Sequence, residues 1–327
     1  GGVMSGATST VPMDSSAVMG EARSDRELMA RALALCWPDV GLALHRALEA
    51  RQIVIEAPAS PILDLGCSDG RFARLWTGGL SRRPTILGCD LWPTELRRAA
   101  AGGGLRLVLR ADARRLPLAP ESLGTVIANS VLAHVPDLDQ LLAETSRALR
   151  PGGHFLAAVP GPAFEDQLVW VRVCRSLGLP WLARRIGDRY HFRWQQWHRD
   201  GEAVWARRLA AHDLALVEAR SYPGSVTGLV WSLAFSLLRF GPGRFTPLNI
   251  LLRLFPGKAR TERSRPDLLA RTLAPLLAEP GTHGGSLFLV ARKGEAAPRT
   301  GPIARSKPPR LPRESRRPNV ARALAWL

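Results

Sequence analysis

Residues 62–71 read Ile-Leu-Asp-Leu-Gly-Cys-Ser-Asp-Gly-Arg, and they are the most informative part of the chain about its fold. An apolar run ends at an acid, Asp64, and small residues follow directly, which indicates a strand that enters a tight turn. The pattern of a helix begins at once, at Phe72. Such a turn lets the backbone approach a nucleoside-like cofactor closely. Its glycines follow the acid, unlike the Gly-x-Gly-x-x-Gly turn of nicotinamide-binding folds.

The chain alternates strands with helices from this stretch to residue 160. Alternation requires crossover connections, so it predicts a Rossmann-like α/β fold with helices on both faces of a parallel sheet. Two later strands extend this to a seven-stranded mixed sheet whose last strand is antiparallel. Ligands of such sheets lie beyond the carboxyl ends of the parallel strands. The predicted strands cover residues 62–65, 85–90, 105–111, 125–130, 154–159, 214–222 and 286–293.

Composition sets the boundaries within the chain. Residues 1–23 are small and polar, and residues 294–327 are rich in proline and arginine, so we expect both segments to be disordered. Residues 24–293 are expected to form one domain that opens with two helices. Its parts are a cofactor-binding core at 60–160, a helical and aromatic cap at 161–212 and an insert at 223–284 between the last two strands.

The composition also excludes several classes of function. The 327 residues contain 45 Lys and Arg against 28 Asp and Glu, but the excess is scattered outside the tail, which indicates solvated faces. The tail has no aromatic side chain among its cations before Trp326, so nucleic acid is not an expected partner. Four cysteines without a Cys-x-x-Cys pair predict reduced thiols and no metal site. Since the N-terminus lacks a secretory pattern, we expect a cytoplasmic protein.

Acidic residues stand at the ends of three successive predicted strands. Asp64 can orient the glycine turn and hold a cofactor ammonium group. Asp90 can accept hydrogen bonds from both hydroxyls of a ribose. Asp112 can accept from the exocyclic amine of an adenine while the backbone N–H of Ala113 donates to a ring nitrogen, although a helix N-cap is an alternative role for Asp112. Together these positions predict one nucleoside-binding site.

With these motifs in order, the chain resembles the class I S-adenosylmethionine-dependent methyltransferases, especially the small-molecule branch that includes quinone-biosynthesis enzymes. The resemblance covers residues 60–160 and rests on the segments DLGCSDG at 64–70, GCD at 88–90, DARRLP at 112–117, NSVLAHV at 129–135 and RALRPGG at 147–153. It implies methyl transfer with S-adenosylmethionine as cofactor. It also implies cofactor contacts from Asp64, Gly66, Ser68, Gly70, Asp90, Leu91, Asp112, Ala113, Asn129 and His134.

Two positions depart from the family pattern. Ser68 stands where the middle glycine of the turn is usual, and it is small enough to let a ligand approach. Leu123 and Gly124 stand where Phe-Asp is common, which removes a carboxylate from the far side of the sheet. We expect a local structural consequence there and retained cofactor binding. For His134, a structural role near the turn is the alternative to a cofactor contact.

The acceptor side of the site is expected to come from the region after the fifth strand. The resemblance implies that residues 188–198, which combine aromatic side chains with His191 and His198, lie across the mouth of the site. A neutral imidazole can take a proton near pH 7, so these two histidines are candidate general bases. The alternative is an aromatic cap that packs for its own stability.

Residues 226–238 are apolar and uncharged, and basic residues follow from Arg239 onward. The stretch is too short to span a bilayer, which needs about 20 apolar residues. An apolar helix followed by cations is typical of peripheral attachment to a membrane surface, here the inner face, while a buried cap helix or a dimer contact is the alternative. Membrane contact would suit a lipid-soluble acceptor.

The sequence therefore predicts methyl transfer from S-adenosylmethionine to a small, apolar or lipid-like acceptor. Two other functions stay open. One is a non-catalytic, cofactor-binding partner subunit. The other is a nicotinamide-dependent oxidoreductase, which the spacing of Gly66 and Gly70 disfavours.

Overall fold

The computed structural model describes residues 25–80, 82–239, 266–281 and 284–295. The segment 1–23 and residues 296–327 of the segment 294–327, both expected to be disordered, lie outside these residues, as do the cations of the insert between 240 and 265. The described chain opens with two helices that pack on each other, α1 (Asp25–Cys36) and α2 (Val40–Ile55). The Asp39 carboxylate accepts from the backbone N–H of Leu42 at 2.9 Å and caps α2.

A seven-stranded sheet forms the centre of the domain, with the order β3-β2-β1-β4-β5-β7-β6. The first five strands are parallel, and β7 runs antiparallel between β5 and β6. The predicted Rossmann-like mixed sheet is therefore confirmed. The strands are β1 (Ile62–Leu65), β2 (Ile86–Asp90), β3 (Leu107–Arg110), β4 (Leu123–Asn129), β5 (Leu149–Pro160), β6 (Leu214–Tyr222) and β7 (Ser286–Lys293).

Helices cover both faces of the sheet. Successive strand residues point to opposite faces. Ile127 and Leu156 thus pack with α1, α2 and the cap, while Val126 and Phe155 pack with the helices on the other face. The remaining helices are α3 (Arg71–Thr77), α4 (Pro93–Gly102), α5 (Leu138–Ala148), α6 (Val169–Ser176), α7 (Pro180–Trp194), α8 (Glu202–Ala210), α9 (Ser225–Arg239) and α10 (Pro266–Leu273).

Strands β4 and β5 both begin earlier than the sequence predicts. Leu123 pairs with Leu149, and regular pairing resumes only at Thr125 with His154. The residues between Leu149 and His154 form an irregularity in the ladder, where Gly152 has a φ of +71°. The Pro-Gly-Gly segment at 151–153, which precedes the predicted strand at 154–159, therefore lies within β5.

Gly124 has the local structural consequence that was expected of it. A Cβ atom at this position would lie 2.5 Å from the carbonyl oxygen of Ala59 and 2.8 Å from that of Ser60. The backbone N–H of Gly124 donates to the carbonyl oxygen of Pro61 at 2.8 Å. The loop before β1 therefore fills the space that a side chain would need.

Candidate cofactor and acceptor site

The glycine turn between β1 and α3 requires left-handed backbone at three alternate positions. Gly66, Ser68 and Gly70 have φ angles of 72°, 49° and 73°. A Cβ atom at Gly66 would lie 2.5 Å from a methyl carbon of Val131, so only glycine fits there. Ser68 stands at the middle position of the three, and its backbone N–H donates to Oδ2 of Asp90 at 2.9 Å.

Asp64 is buried at the carboxyl end of β1, with 3% of its surface exposed. Within the described part of the chain, its Oδ2 atom has no hydrogen-bond partner. Burial, and then the negative charge of Asp90, raise the pKa of Asp64 to about 7, although the Arg46 guanidinium opposes this. A buried carboxylate oxygen without a partner is suited to bind a positively charged group of a ligand.

Asp90 is held at the end of β2 by backbone donors. Its Oδ2 accepts from Ser68 and its Oδ1 accepts from the N–H of Trp92 at 3.0 Å. Burial raises the pKa of Asp90, and hydrogen bonds from the N–H groups of Trp92, Ser68 and Leu91 partly offset this. Since a carboxylate can accept about four hydrogen bonds, Asp90 retains capacity for the two hydroxyls of a ribose.

Asp112 lies in the turn after β3 and is already paired. Its carboxylate accepts from the backbone N–H of Arg114 at 2.9 Å and from Nε and Nη2 of the Arg114 guanidinium at 2.7–3.2 Å. Burial acts to raise the pKa of Asp112, but the Arg114 contacts hold it below its usual range. A turn and no helix follows Asp112 in the described chain, so Asp112 is not a helix N-cap. The predicted contacts of Asp112 and Ala113 with adenine stay a prediction.

Helix α2 brings three polar side chains, His45, Arg46 and Glu49, to the ends of the strands. Glu49 is completely buried. It accepts from Arg46 at 2.6 Å, and its Oε1 lies 3.3 Å from Nε2 of His45. It also accepts from Asn129 at 3.0 Å and Ser130 at 2.7 Å, directly after β4. Burial acts to raise the pKa of Glu49, but Arg46, His45 and these hydrogen bonds hold it far below its usual range.

Sequence reasoning placed Asn129 and His134 at the cofactor and missed the α2 cluster. Asn129 donates its amide to Glu49, and its buried Oδ1 atom has no partner among the residues described. His134 is half-buried, with Nδ1 3.3 Å from the carbonyl oxygen of Gln195. The one signal for this cluster in the sequence was the spacing of His45 and Glu49, which are four residues apart beside an apolar stripe. Many surface helices carry such pairs, so the spacing alone did not indicate a site.

A pocket that is partly open to solvent lies beyond the carboxyl ends of β4, β5 and β6. One side of this cavity is aromatic and aliphatic, and the other side carries polar groups. The apolar side is formed by Leu42, Ala133, Val159, Pro160, Phe164, Tyr190, Trp194, Trp231 and Phe235. The more polar side is formed by His45, Glu49, Ser130, His134, Gln196, Tyr222 and Ser286.

His191 and His198 lie in the cap, as predicted, but both ring nitrogens of each are engaged. His191 has Nδ1 2.8 Å from the Gln196 side chain and Nε2 3.1 Å from Glu165. His198 has Nε2 3.0 Å from the carbonyl oxygen of Val135 and Nδ1 3.0 Å from a guanidinium nitrogen of Arg208. Nearby residues of the same segment, Tyr190, Trp194 and Gln196, line the cavity. Their role as bases stays a prediction.

Comparison with known proteins identifies the central part of the chain. Residues 63–157 match a family model described as a methyltransferase domain. The demethylmenaquinone methyltransferase of Thermobifida fusca is 30% identical over 136 residues, which are 39% of this chain and 55% of the relative. The malonyl-[acyl-carrier protein] O-methyltransferase of Alcanivorax borkumensis is 37% identical over 139 residues, 40% of this chain and 46% of the relative.

A third relative is the trans-aconitate 2-methyltransferase of Azoarcus sp. (strain BH72). It is 33% identical over 162 residues, 47% of this chain and 61% of the relative. The chain thus spans about half the length of the curated relatives that it matches. Three similar proteins carry three different acceptors in their names, while methyl transfer is common to all.

Proposed function

Residues 63–157 form a class I S-adenosylmethionine-dependent methyltransferase domain, and from this premise we propose that the protein methylates a small, apolar or lipid-like acceptor. The observation that carries the proposal is the aromatic-walled cavity, which shares Glu49 and Ser130 with the polar cluster at the end of β4. Pockets that combine apolar, aromatic walls with a smaller set of polar groups are typical of small-molecule sites.

The residues at the strand ends fit the cofactor S-adenosylmethionine. The unpartnered oxygen of Asp64 suits the ammonium group of the cofactor, and Asp90 suits its ribose. Arg46, 6% exposed and close enough to Asp64 to affect its pKa, offers a cation for the cofactor carboxylate. When bound, the cofactor supplies an electrophilic methyl group on a sulfonium. The protein then has to orient an acceptor, exclude water and, for a protonated nucleophile, remove a proton.

His45 is the histidine best placed to remove that proton. It lines the cavity, and Glu49 fixes its Nε2 side. Among the described residues, no group hydrogen-bonds its other ring nitrogen, Nδ1. With the cofactor bound, Nδ1 of His45 would accept the proton that the acceptor heteroatom loses when the methyl group passes to it from the sulfonium sulfur, and Glu49 would stabilise the resulting imidazolium. The sequence-derived candidates His191 and His198 would act only after exchanging their present hydrogen bonds.

The proposal retains a peripheral membrane contact through residues 226–238, at the inner face of the membrane. Helix α9 packs on α2 through a buried side that includes Trp231. Its other side leaves Val226, Leu233 and Leu237 exposed, at helical spacing. The part of the chain that the structure describes contains no helix long and apolar enough to cross a bilayer. An exposed apolar strip on a cap helix supports delivery of the acceptor from a lipid phase.

Two measurements test the proposal. Calorimetry with S-adenosylmethionine should show binding, and incubation with methyl-tritiated cofactor and a cell extract should place label in the organic phase. Replacing His45 by Gln should remove most of that label without weakening cofactor binding, whereas the double variant H191Q/H198Q should retain it. Label in the aqueous phase alone would refute a lipid-like acceptor. Binding without label in either phase would favour the non-catalytic partner subunit.

A further inference from the structure

The outer face of helix α7 combines exposed aromatic and basic side chains. Trp181 is 64% exposed and Phe192 is 83% exposed. Eleven residues at 100° each return the helix to nearly the same direction, so both rings project from one side, about 16 Å apart along the axis. Two such rings on one helix face, with cations between them, are a candidate contact surface for a partner that is both apolar and anionic.

The residues between these rings are basic. Arg184, Arg185 and Arg189 are all exposed, and Asp188 is the one acid of the helix. Arg193, also exposed, follows Phe192 directly. This strip has an aromatic ring at each end and several arginines between them. It complements a surface whose outer layer is anionic and whose inner layer is apolar. That is the composition of the interface of an anionic bilayer.

The opposite face of the same helix belongs to the cavity. Tyr190 and Trp194 line it, and Ala183 and Gly187 are buried against the domain. One helix thus has a wall of the acceptor cavity on its inner side and the aromatic and basic strip on its outer side. This arrangement would place the cavity within one helix diameter, about 10 Å, of whatever the strip contacts.

We propose that the outer face of α7 docks the protein onto anionic membrane lipid, with Trp181 and Phe192 inserted at the interface and the arginines on the headgroups. Helix α7 then lies flat on the membrane, and an apolar acceptor passes from the lipid into the cavity beneath it. This inference rests on the proposed function only for the nature of the acceptor, since docking itself needs no methyl transfer. The outer face of α7 would then be a second membrane-contacting surface, in addition to the exposed apolar strip on α9.

Flotation with vesicles tests the docking surface on the full-length protein. Vesicles of phosphatidylcholine and phosphatidylglycerol should carry the protein upward, and vesicles of phosphatidylcholine alone should carry much less. W181S/F192S should lower the partition coefficient roughly tenfold or more, and R184Q/R185Q/R189Q should lower it similarly and reduce its salt dependence. The matched controls are L107S/V217S, which removes two exposed apolar side chains from the sheet, and R82Q/R83Q/R97Q, which removes three exposed arginines outside the cap. Both controls should float like the unaltered protein.

Several outcomes would overturn the inference. The unaltered protein could remain at the bottom of the gradient, or W181S/F192S could float as well as L107S/V217S. Loss of flotation in V226S/L237S but not in W181S/F192S would assign docking to α9 alone. Light scattering that shows a dimer converted to a monomer by W181S/F192S would assign the strip to a second copy of the chain. Calorimetry with S-adenosylmethionine separates these failures from failure of the proposed function, because the surface variants should bind cofactor normally.

Discussion

Replacing Asp64 by Asn should stabilise the cofactor-free protein and impair cofactor binding. Burial raises the pKa of Asp64 in the folded chain to about 7, against an ordinary value of 3.8. The folded state therefore holds this proton more tightly than the unfolded state, so the free energy of unfolding falls as the pH rises from about 4 to about 7 and is level above that. At 1.36 kcal/mol per pKa unit the full cost is about 4 kcal/mol.

An amide carries no charge at any pH and removes this cost. At pH 8, D64N should unfold at a temperature roughly 5–10 °C above that of the unaltered protein, the scale expected for 2–4 kcal/mol in a domain of this size. The difference should shrink as the pH approaches 4. The matched control is D188N, which changes an exposed carboxylate on α7 and should leave the melting temperature nearly unchanged at both pH values.

The same ionisation should govern cofactor affinity. With a pKa of about 7, the charged fraction of Asp64 rises from about 0.1 at pH 6 to about 0.9 at pH 8. The affinity for S-adenosylmethionine should therefore rise roughly tenfold across this range, with proton release on binding, and calorimetry in two buffers measures both. A D64N variant that is no more stable at pH 8, together with an affinity that is flat between pH 6 and pH 8, would refute the role assigned to this carboxylate.

Three further substitutions test other parts of the site. Asp90→Ala should weaken cofactor binding by about 1.5–3 kcal/mol, the scale of hydrogen bonds to a charged group, and an unchanged dissociation constant in calorimetry would contradict its place at the ribose. Glu49→Gln should lower the free energy of unfolding by about 3–5 kcal/mol in a urea titration, because Arg46 would lose its buried partner; an effect no larger than that of an exposed Glu→Gln change would show that the pair is dispensable. Gly124→Ala should cost about 1–3 kcal/mol because its methyl group would meet the carbonyl oxygen of Ala59, and a neutral effect would mean that the loop before β1 yields freely.

The fold, and the meeting of Asp64 and Asp90 at one edge of the sheet, could be predicted because their signals are local. Asp64 and Asp90 each follow an apolar run directly, and the glycine turn lies within seven residues. Parallel strands then bring their carboxyl ends to one edge of the sheet, whatever the intervening helices contain. Short-range patterns and one rule of topology were therefore sufficient for this part.

The acceptor half could not be predicted in the same way because its contacts join distant segments. Glu49 hydrogen-bonds to Asn129 and Ser130, which are 80 and 81 residues away in the sequence. The ring centroids of Trp231 and His45 are 5.6 Å apart, although six of the seven strands lie between the two residues in the sequence. No local pattern signals such a meeting. The aromatic content of the cap indicated the side chains Tyr190 and Trp194 that line the cavity, but no local pattern indicated that His45 would line it as well.

The match to the family model ends at residue 157, three residues before β5 ends. The cavity residues Phe164, Tyr190 and Trp194 come after that point, in the excursion between β5 and β6, and Trp231 comes from the excursion between β6 and β7. Under the proposed function, these two excursions shape the acceptor cavity while the strand ends that carry Asp64 and Asp90 lie within the part that the family model matches. A chimera that keeps residues 25–160 and takes the cap of a relative should retain its methyl donor while acquiring that relative's choice of acceptor.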